Sequence, residues 1–406
     1  MDFALNSIEQ ELVDKAKRLA KEFSTSARKY DEAGEFPRAN MDRLREEGLL
    51  ALTVPVEYGG YGMWDGRKYL GFYLVLETIA AACGSTGQLL QVHCHCVSNI
   101  ASLANKEQKE RILRAVVQNG ALVGSAGDAT REIAAGRAEL RPVKGGFRLT
   151  SRQRFGSLSG DCDYLLVFAA PEGARTFGES VILCLPRDTP GIVWEDSWSD
   201  AMGMRATVSG TTTLNDVFVA WENVIGKPGD FVRDPRGWTL AYGSSYLGTA
   251  QGAFDFVRQY VAKKPELLDD DVVTSVIAEM DAAIQAARTS LWYACWLWEE
   301  KNYVDAELAS MKFASSAKQT VAMVTNKAFE VCGASAAFRN YPLERYWRDS
   351  RMFTLHTRES SNARLIAKAA VSGDFHAKQW FAESADQLSW EQYGVTPESR
   401  KTADVT

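Results

Sequence analysis

The chain has no excess of positive charge, no long apolar run, no leader-like start and no regular cysteine spacing, and each absence removes a class of protein. With 46 Lys and Arg against 52 Asp and Glu the net charge is −6, the wrong sign for a nucleic-acid binder, which normally presents a basic face. No apolar stretch approaches the ~20 residues of a membrane span. The start, MDFALNSIEQELVDKAKRLAKEF, lacks a secretion signal's apolar segment and reads as an amphipathic helix capped near Asn6 or Ser7; a cytosolic location is expected. The seven cysteines, at 83, 94, 96, 162, 184, 295 and 332, are scattered and odd in number, which suits reduced thiols better than a disulfide framework. There is no internal repeat and no low-complexity tract.

What is present is ordinary in bulk and ordered in pattern. Hydrophobic residues make up 46% and charged residues 24% of 406 positions, as in a soluble globular protein with room for two or three compact units. Helical periodicity is expected over 7–30, 38–50, 68–82 and 87–118, with the glycine-rich turn VPVEYGGYG between the second and third. From Leu122 to Gly226 the texture changes to short β-rich runs, among them ELRPVKGGFRLT, CDYLLVFAAP, SVILCLPR and SGTTTLNDVFV. Long helical patterns return at 237–263, 270–300, 304–334 and 343–373, and four helices with short connections imply a bundle. The expected fold class is α+β, mainly α: an N-terminal helical domain (1–120), a central β domain (121–228), a C-terminal four-helix bundle (229–393) and a frayed tail (394–406).

The order of motifs is more specific than the pattern. FPRANMDRLREEGLLALTVPVEYGGYG, KEQKERIL, MGMRATVSGTTTLNDVFVAWENVIG and MKFASSAKQTVAMVTNKAFEVCGASAAFRNYPLERYWRD follow one another with the content and spacing of the acyl-CoA dehydrogenase superfamily, which the chain resembles over nearly its whole length. In that family a YP(V/L)E(R/K)xxRD tract precedes YEGT, whose glutamate removes the substrate α-proton. Here RD is Arg348-Asp349 and the YEGT positions hold His356, Thr357, Arg358 and Glu359. A threonine hydroxyl is no base near neutral pH, and α-proton removal needs a tuned carboxylate. The alternative family position for the base falls near Trp238 and Thr239, neither of them an acid.

CGASA at 332–336, VGSAGDAT after Leu122, and RYWRDSRMFTLH ending at His356 are similar to a sister branch, the two-component flavin-dependent monooxygenases of dibenzothiophene monooxygenase or nitrososynthase type. The Asp-Pro usual after that histidine is Thr357-Arg358 here. The resemblance implies reduced FMN or FAD supplied by a partner flavin reductase, dioxygen, a flavin hydroperoxide, and oxygen transfer to a small organic substrate with an amine, aromatic or sulfur centre. It also implies a homotetramer with the flavin between the β domain and the bundle. Such chemistry needs water excluded, a donor near the reacting oxygen and a polar partner for the flavin ring.

On this resemblance His356 falls at the flavin edge, where an imidazole can relay a proton; a core histidine bonded to a backbone carbonyl is the plainer role. His93 and His95 sit on a predicted helix and point about 200° apart, so at most one faces a pocket, and His93 is the choice. HCHC offers no closed metal site, which needs four convergent ligands; no metal is expected. Phe155 stands where the family places a flavin-stacking tryptophan. Ser157 falls where a threonine meets the flavin ring nitrogen, with Ser159 as the alternative, and a turn serine bonding its own backbone as the plain reading. Ser125 matches a contact to the flavin pyrimidine edge. Arg288 matches a bundle arginine that reaches a neighbouring subunit's flavin phosphates, against an exposed helix salt bridge. Arg348, Asp349 and Arg205 read as structural.

Two other readings compete. A dehydrogenase acting on an acyl thioester would need Glu359 or Glu330 as a displaced base, and a catalytically silent scaffold would need none.

Overall fold

The computed structural model describes residues 1–64, 69–126, 138–175, 177–230, 238–356, 359–373, 375 and 388–395. Helix α1 (Ser7–Ala33) begins with a capping box: Asn6 accepts from the Glu9 N–H at 2.9 Å, and the Glu9 carboxylate accepts from the Asn6 N–H at 2.9 Å. α2 (Arg38–Glu46), α3 (Tyr69–Ala82), α4 (Gly84–Leu103) and α5 (Lys106–Asn119) follow. The single run expected over 87–118 is therefore two helices. Ala104 turns extended, and Asn105 opens α5 with a second capping box to Gln108, an Asn being better placed at a cap than inside a helix.

Eight strands form the central domain: β1 (Val123–Ala126), β2 (Glu139–Val143), β3 (Gly146–Gln153), β4 (Tyr164–Pro171), β5 (Val181–Pro186), β6 (Ile192–Glu195), β7 (Thr211–Ala220) and β8 (Val224–Ile225). Their order is β6-β7-β3-β2-β4-β5-β8, with β1 parallel to β4. Alternation in β4 sends Leu165, Val167 and Ala169 into the main core and Leu166 into a second cluster with Ile182 and Cys184 of β5, roofed by α4 and α5. All seven cysteines are buried and free.

The C-terminal helices are α6 (Trp238–Ala262), α7 (Asp271–Glu299), α8 (Tyr303–Cys332), α9 (Leu343–Phe353) and α10 (Glu359–Ser372). Three are long, but the fourth expected helix, over 343–373, is interrupted. After Phe353 the backbone tightens to i→i−3 bonds, Leu355 N–H to Met352 O and His356 N–H to Phe353 O, so His356 sits at a helix end rather than within one. The N-terminal helices share the bundle's core. α3 and α6 touch backbone to backbone because Gly248 and Gly252 have no Cβ; one added there would lie 2.3 Å from Glu77 O and 2.1 Å from Ala81 O. Near the C-terminus Trp390 packs on Phe147 and Trp221 of the β domain, at 5.2 and 5.1 Å between ring centroids. The chain expected to fray from 394 is held at least to the buried Val395.

One guanidinium ties the three regions together. Arg348 on α9 donates to both oxygens of Asp31 at the end of α1 (2.6 and 3.1 Å), both of Glu344 one turn back (2.6 and 2.9 Å), and Met202 O in the loop leaving β6 (2.9 Å). Next to it the buried Asp349 carboxylate accepts from the Met204 N–H at 2.6 Å. Between the two lies Gly203, where a Cβ would come within 2.4 Å of the Arg348 carbonyl. The paired motifs GMR and RD thus dock on one another, the structural role expected of Arg348 and Asp349. Breaking a half-buried pair strands its partners. Arg348→Met is expected to cost about 3 kcal/mol in denaturant unfolding, and Arg348→Lys most of that, since an ammonium cannot bridge two carboxylates and a carbonyl in one plane.

Candidate active site

The end of α9 meets the first turns of α6. Phe353, the last residue of α9, lies 5.2 Å from the Tyr246 ring and 5.7 Å from His356, and His356 stacks on Tyr242 at 5.3 Å. The His356 Nδ1 faces Phe353 O at 3.3 Å, so Nδ1 carries the proton and Nε2 is left as an acceptor. Desolvation by these surroundings pushes the imidazole down to about 4, and Lys318 of α8 adds to the effect. His356 is exposed at the end of α9, and with its proton affinity lowered the imidazole is neutral at neutral pH.

The β-domain side is built from hydroxyls. The Phe155–Gly160 turn uses left-handed backbone at Phe155 and Leu158 (φ 61° and 69°). Phe155 is thereby turned outward, 55% exposed and backed edge-on by Trp198 at 6.0 Å. Ser157 does not bond its own turn. Its Oγ lies 3.0 Å from Ser209 Oγ, which lies 2.7 Å from Thr207 Oγ1, and Thr207 donates to Met204 O at 2.8 Å. The turn is closed instead by Ser159, whose Oγ donates to Gly156 O at 2.5 Å. Gly156 abuts the end of β1: an added Cβ would stand 3.0 Å from Ser125 O. The turn that carries Phe155, Ser157 and Ser159 therefore lies beside Ser125. Since Met204 N is held by Asp349, one turn before Phe353, the hydroxyl chain runs straight to the helix side.

Two expectations are corrected. His93 is not a pocket residue: its Nε2 bonds Leu50 O at 2.8 Å and its Nδ1 accepts from the Val123 N–H at 3.0 Å. Both nitrogens are spent fixing α4 to β1, and burial pushes the imidazole down to about 4. Arg288 is neither an exposed salt bridge nor free for a phosphate. Its Nε and Nη2 hold Glu77 Oε1 at 3.0 and 2.5 Å, and Nη2 also holds Gln251 at 2.7 Å, because the burial of Glu77 between α3 and α6 demands a cation. His95 bonds Gln91 O at 2.9 Å and packs on Trp64.

Thr357 and Arg358 lie outside the described residues. Glu330 is exposed on α8. The carboxylate that burial alone lifts, Glu307, reaches about 7, but it precedes Lys318 on α8 by three turns, roughly 16 Å at 1.5 Å per residue. The Glu359 side chain, like Thr357 and Arg358, lies outside the described residues; among the described side chains no carboxylate hydrogen-bonds His356. The sequence reading missed Tyr242, Tyr246, Ser209, Gln88 and Gln91; the polar residues among them interrupt otherwise apolar or β-rich runs, which was the available signal.

Residues 6–119 match the acyl-CoA dehydrogenase N-terminal domain and residues 240–369 the C-terminal domain. Dibenzothiophene monooxygenase of Mycolicibacterium goodii is 30% identical over 387 residues, which span 87% of this chain and 92% of that protein. The chain belongs to the acyl-CoA dehydrogenase superfamily. Within it, the chain falls on the flavin-monooxygenase branch. The dibenzothiophene monooxygenase of Paenibacillus sp. A11-2, solved with FMN and indole, superposes with a TM-score of 0.82 at 26% identity, covering 92% of this chain and 100% of that one. The short-chain-specific acyl-CoA dehydrogenase of Clostridium acetobutylicum is 26% identical over 392 residues, 91% of this chain and 100% of that protein.

In this scaffold His93 is a structural residue: it pins α4 under the sheet. His93→Leu leaves a buried N–H and a buried carbonyl unpaired and is expected to cost about 2–4 kcal/mol at pH 7.5. Folded His93 takes its proton only near 4, the unfolded residue near 6.5. Its contribution is therefore complete above 6.5 and is lost as pH falls from 6.5 to 4. The variant should lack that share of the acid slope, as chemical unfolding across this range will show.

Proposed function

We propose that this enzyme accepts reduced FMN from a separate flavin reductase and uses dioxygen to oxygenate a small aromatic or heteroatom-bearing substrate. The observation that carries the reading is the composition of the His356 cluster: stacked rings and a neutral imidazole, with no described carboxylate to abstract a proton from carbon. The FMN-loaded relative supports the choice of flavin.

The residues present fit such a group. An exposed aromatic face at Phe155, a hydroxyl chain from Ser157, and the nearby Ser125 on β1 offer an apolar wall and neutral hydrogen-bonding partners to a flat, heteroatom-rich ring. Reduced flavin, when bound, supplies with dioxygen an electrophilic oxygen atom. Everything else falls to the chain. Ser157, with Ser209 behind it, orients the ring edge; Ser159 stiffens the turn. Tyr242, Tyr246 and Phe353 keep water from the reacting face. His356, neutral and with Nε2 as acceptor, can accept a proton or hydrogen bond from a substrate at that atom. A homotetramer through the bundle belongs to the same reading; Leu268, Val272, Tyr293 and Val304 are exposed apolar side chains on or beside α7 and at the start of α8. Among the described residues no helix is long and apolar enough to cross a membrane.

The test mixes anaerobically photoreduced FMN and protein with ¹⁸O₂ and a panel of aromatic, amine and sulfur compounds. One labelled oxygen atom in the product is expected. Bleaching of oxidised FMN by butyryl-CoA would instead sink the reading in favour of a dehydrogenase, and neither signal would favour a silent scaffold. His356→Phe is expected to lower product formation ~100-fold while hydrogen peroxide release rises. Ser157→Ala should weaken FMN binding ~10-fold in equilibrium dialysis.

A further inference from the structure

Two polar rungs join α4 to α6 within a largely apolar contact. Ser245 Oγ donates to Gln91 Oε1 at 2.8 Å. One turn earlier on each helix, the Gln88 side chain hydrogen-bonds the Tyr242 phenol, whose ionisation burial pushes up to about 12. Each rung leaves one amide atom over: Gln88 Oε1 and Gln91 Nε2 have no partner among the described residues, although the side chains are only 2% and 0% exposed. Turning either amide over would exchange which atom is spare without pairing it. The first rung adjoins the candidate site directly, because Tyr242 is the ring on which His356 stacks.

Buried unpaired amides are costly, and leucines occupy the intervening positions 89 and 90, so an apolar side chain would be at home on this helix. The spare atoms are an acceptor and a donor one helical turn apart, and a single hydroxyl can satisfy both, donating to one and accepting from the other. Their side-chain partners are Tyr242 and Ser245, with His356 stacked on Tyr242. None of the three carries a charge at neutral pH, which favours an uncharged ligand at this contact.

We propose that Gln88 and Gln91 are the specificity-determining pair, gripping the hydroxyl of an uncharged aromatic substrate whose ring lies among Tyr242, Tyr246 and His356. This deepens the oxygenase reading and rests on it for the fate of the ligand, but not for its binding. An aromatic that lacks the hydroxyl leaves both amides unsatisfied and is rejected.

The experiment is equilibrium dialysis of the FMN-loaded protein against 2-naphthol and naphthalene, which share a ring system and differ by the hydroxyl. It needs neither reductase nor oxygen. Wild type is expected to hold 2-naphthol at least ~10-fold tighter than naphthalene. Gln88→Met and Gln91→Met should each erase most of that preference, leaving naphthalene within ~2-fold. Gln88→Met should melt close to wild type, since the unsatisfied acceptor it removes offsets the hydrogen bond to Tyr242 that is lost with it. Equal binding of the two ligands by wild type would overturn the proposal even if a variant failed to fold, and so would parallel weakening of both ligands in the variants. Discrimination without any oxygenated product would spare this inference and sink the oxygenase reading; oxygenation without discrimination would do the reverse.

Discussion

The Arg348 guanidinium is the constraint on which the rest of the molecule turns. It grips α1, α9 and the loop leaving β6 at once, with all three nitrogens occupied. Two consequences follow from its position on α9. The β domain cannot slide relative to the helices, because Met202 and Met204 are tied to successive residues of that helix. The end of α9, less than two turns further on, is fixed in turn, and the aromatic cluster with His356 hangs from that end. The geometry of the candidate site is thus set by a salt-bridge network some distance away.

A second theme is economy of charge at the candidate site. The cations and carboxylates of the interior pair with each other elsewhere: Arg288 with Glu77, Arg348 with Asp31 and Glu344. Among the described residues, the site itself is built from hydroxyls, amides, rings and a neutral imidazole. Dehydrogenation beside a thioester would need an ionised acid there, whereas activated oxygen needs a dry and weakly polar enclosure.

Much of the fold was legible in the chain. Asn6 and Asn105 are caps by chemistry alone, although the second was absorbed into one long periodic run because flanking apolar residues stayed in phase. The break after Phe353 was not legible, since the RMFTLH segment carries neither glycine nor proline. At the site, the turn carrying Phe155, Ser157 and Ser159 comes beside Ser125 because β1 pairs with β4, the strand that follows that turn, a contact the β-rich texture did not reveal. His93 and Arg288 went astray for the opposite reason: their side chains answer to partners in other elements, a backbone carbonyl at Leu50 and a carboxylate at Glu77.

The sequence by itself determined the helix and strand texture, the family scaffold and the loss of the base, since capping, alternation and residue identity are local facts. Only the tertiary structure decided which histidine is committed to backbone, which arginine is consumed, and which amides are left unpaired. Those outcomes depend on contacts such as that between Gln91 and Ser245, 154 residues apart. Hydrogen-bond satisfaction is a property of the folded neighbourhood, and no single segment carries it.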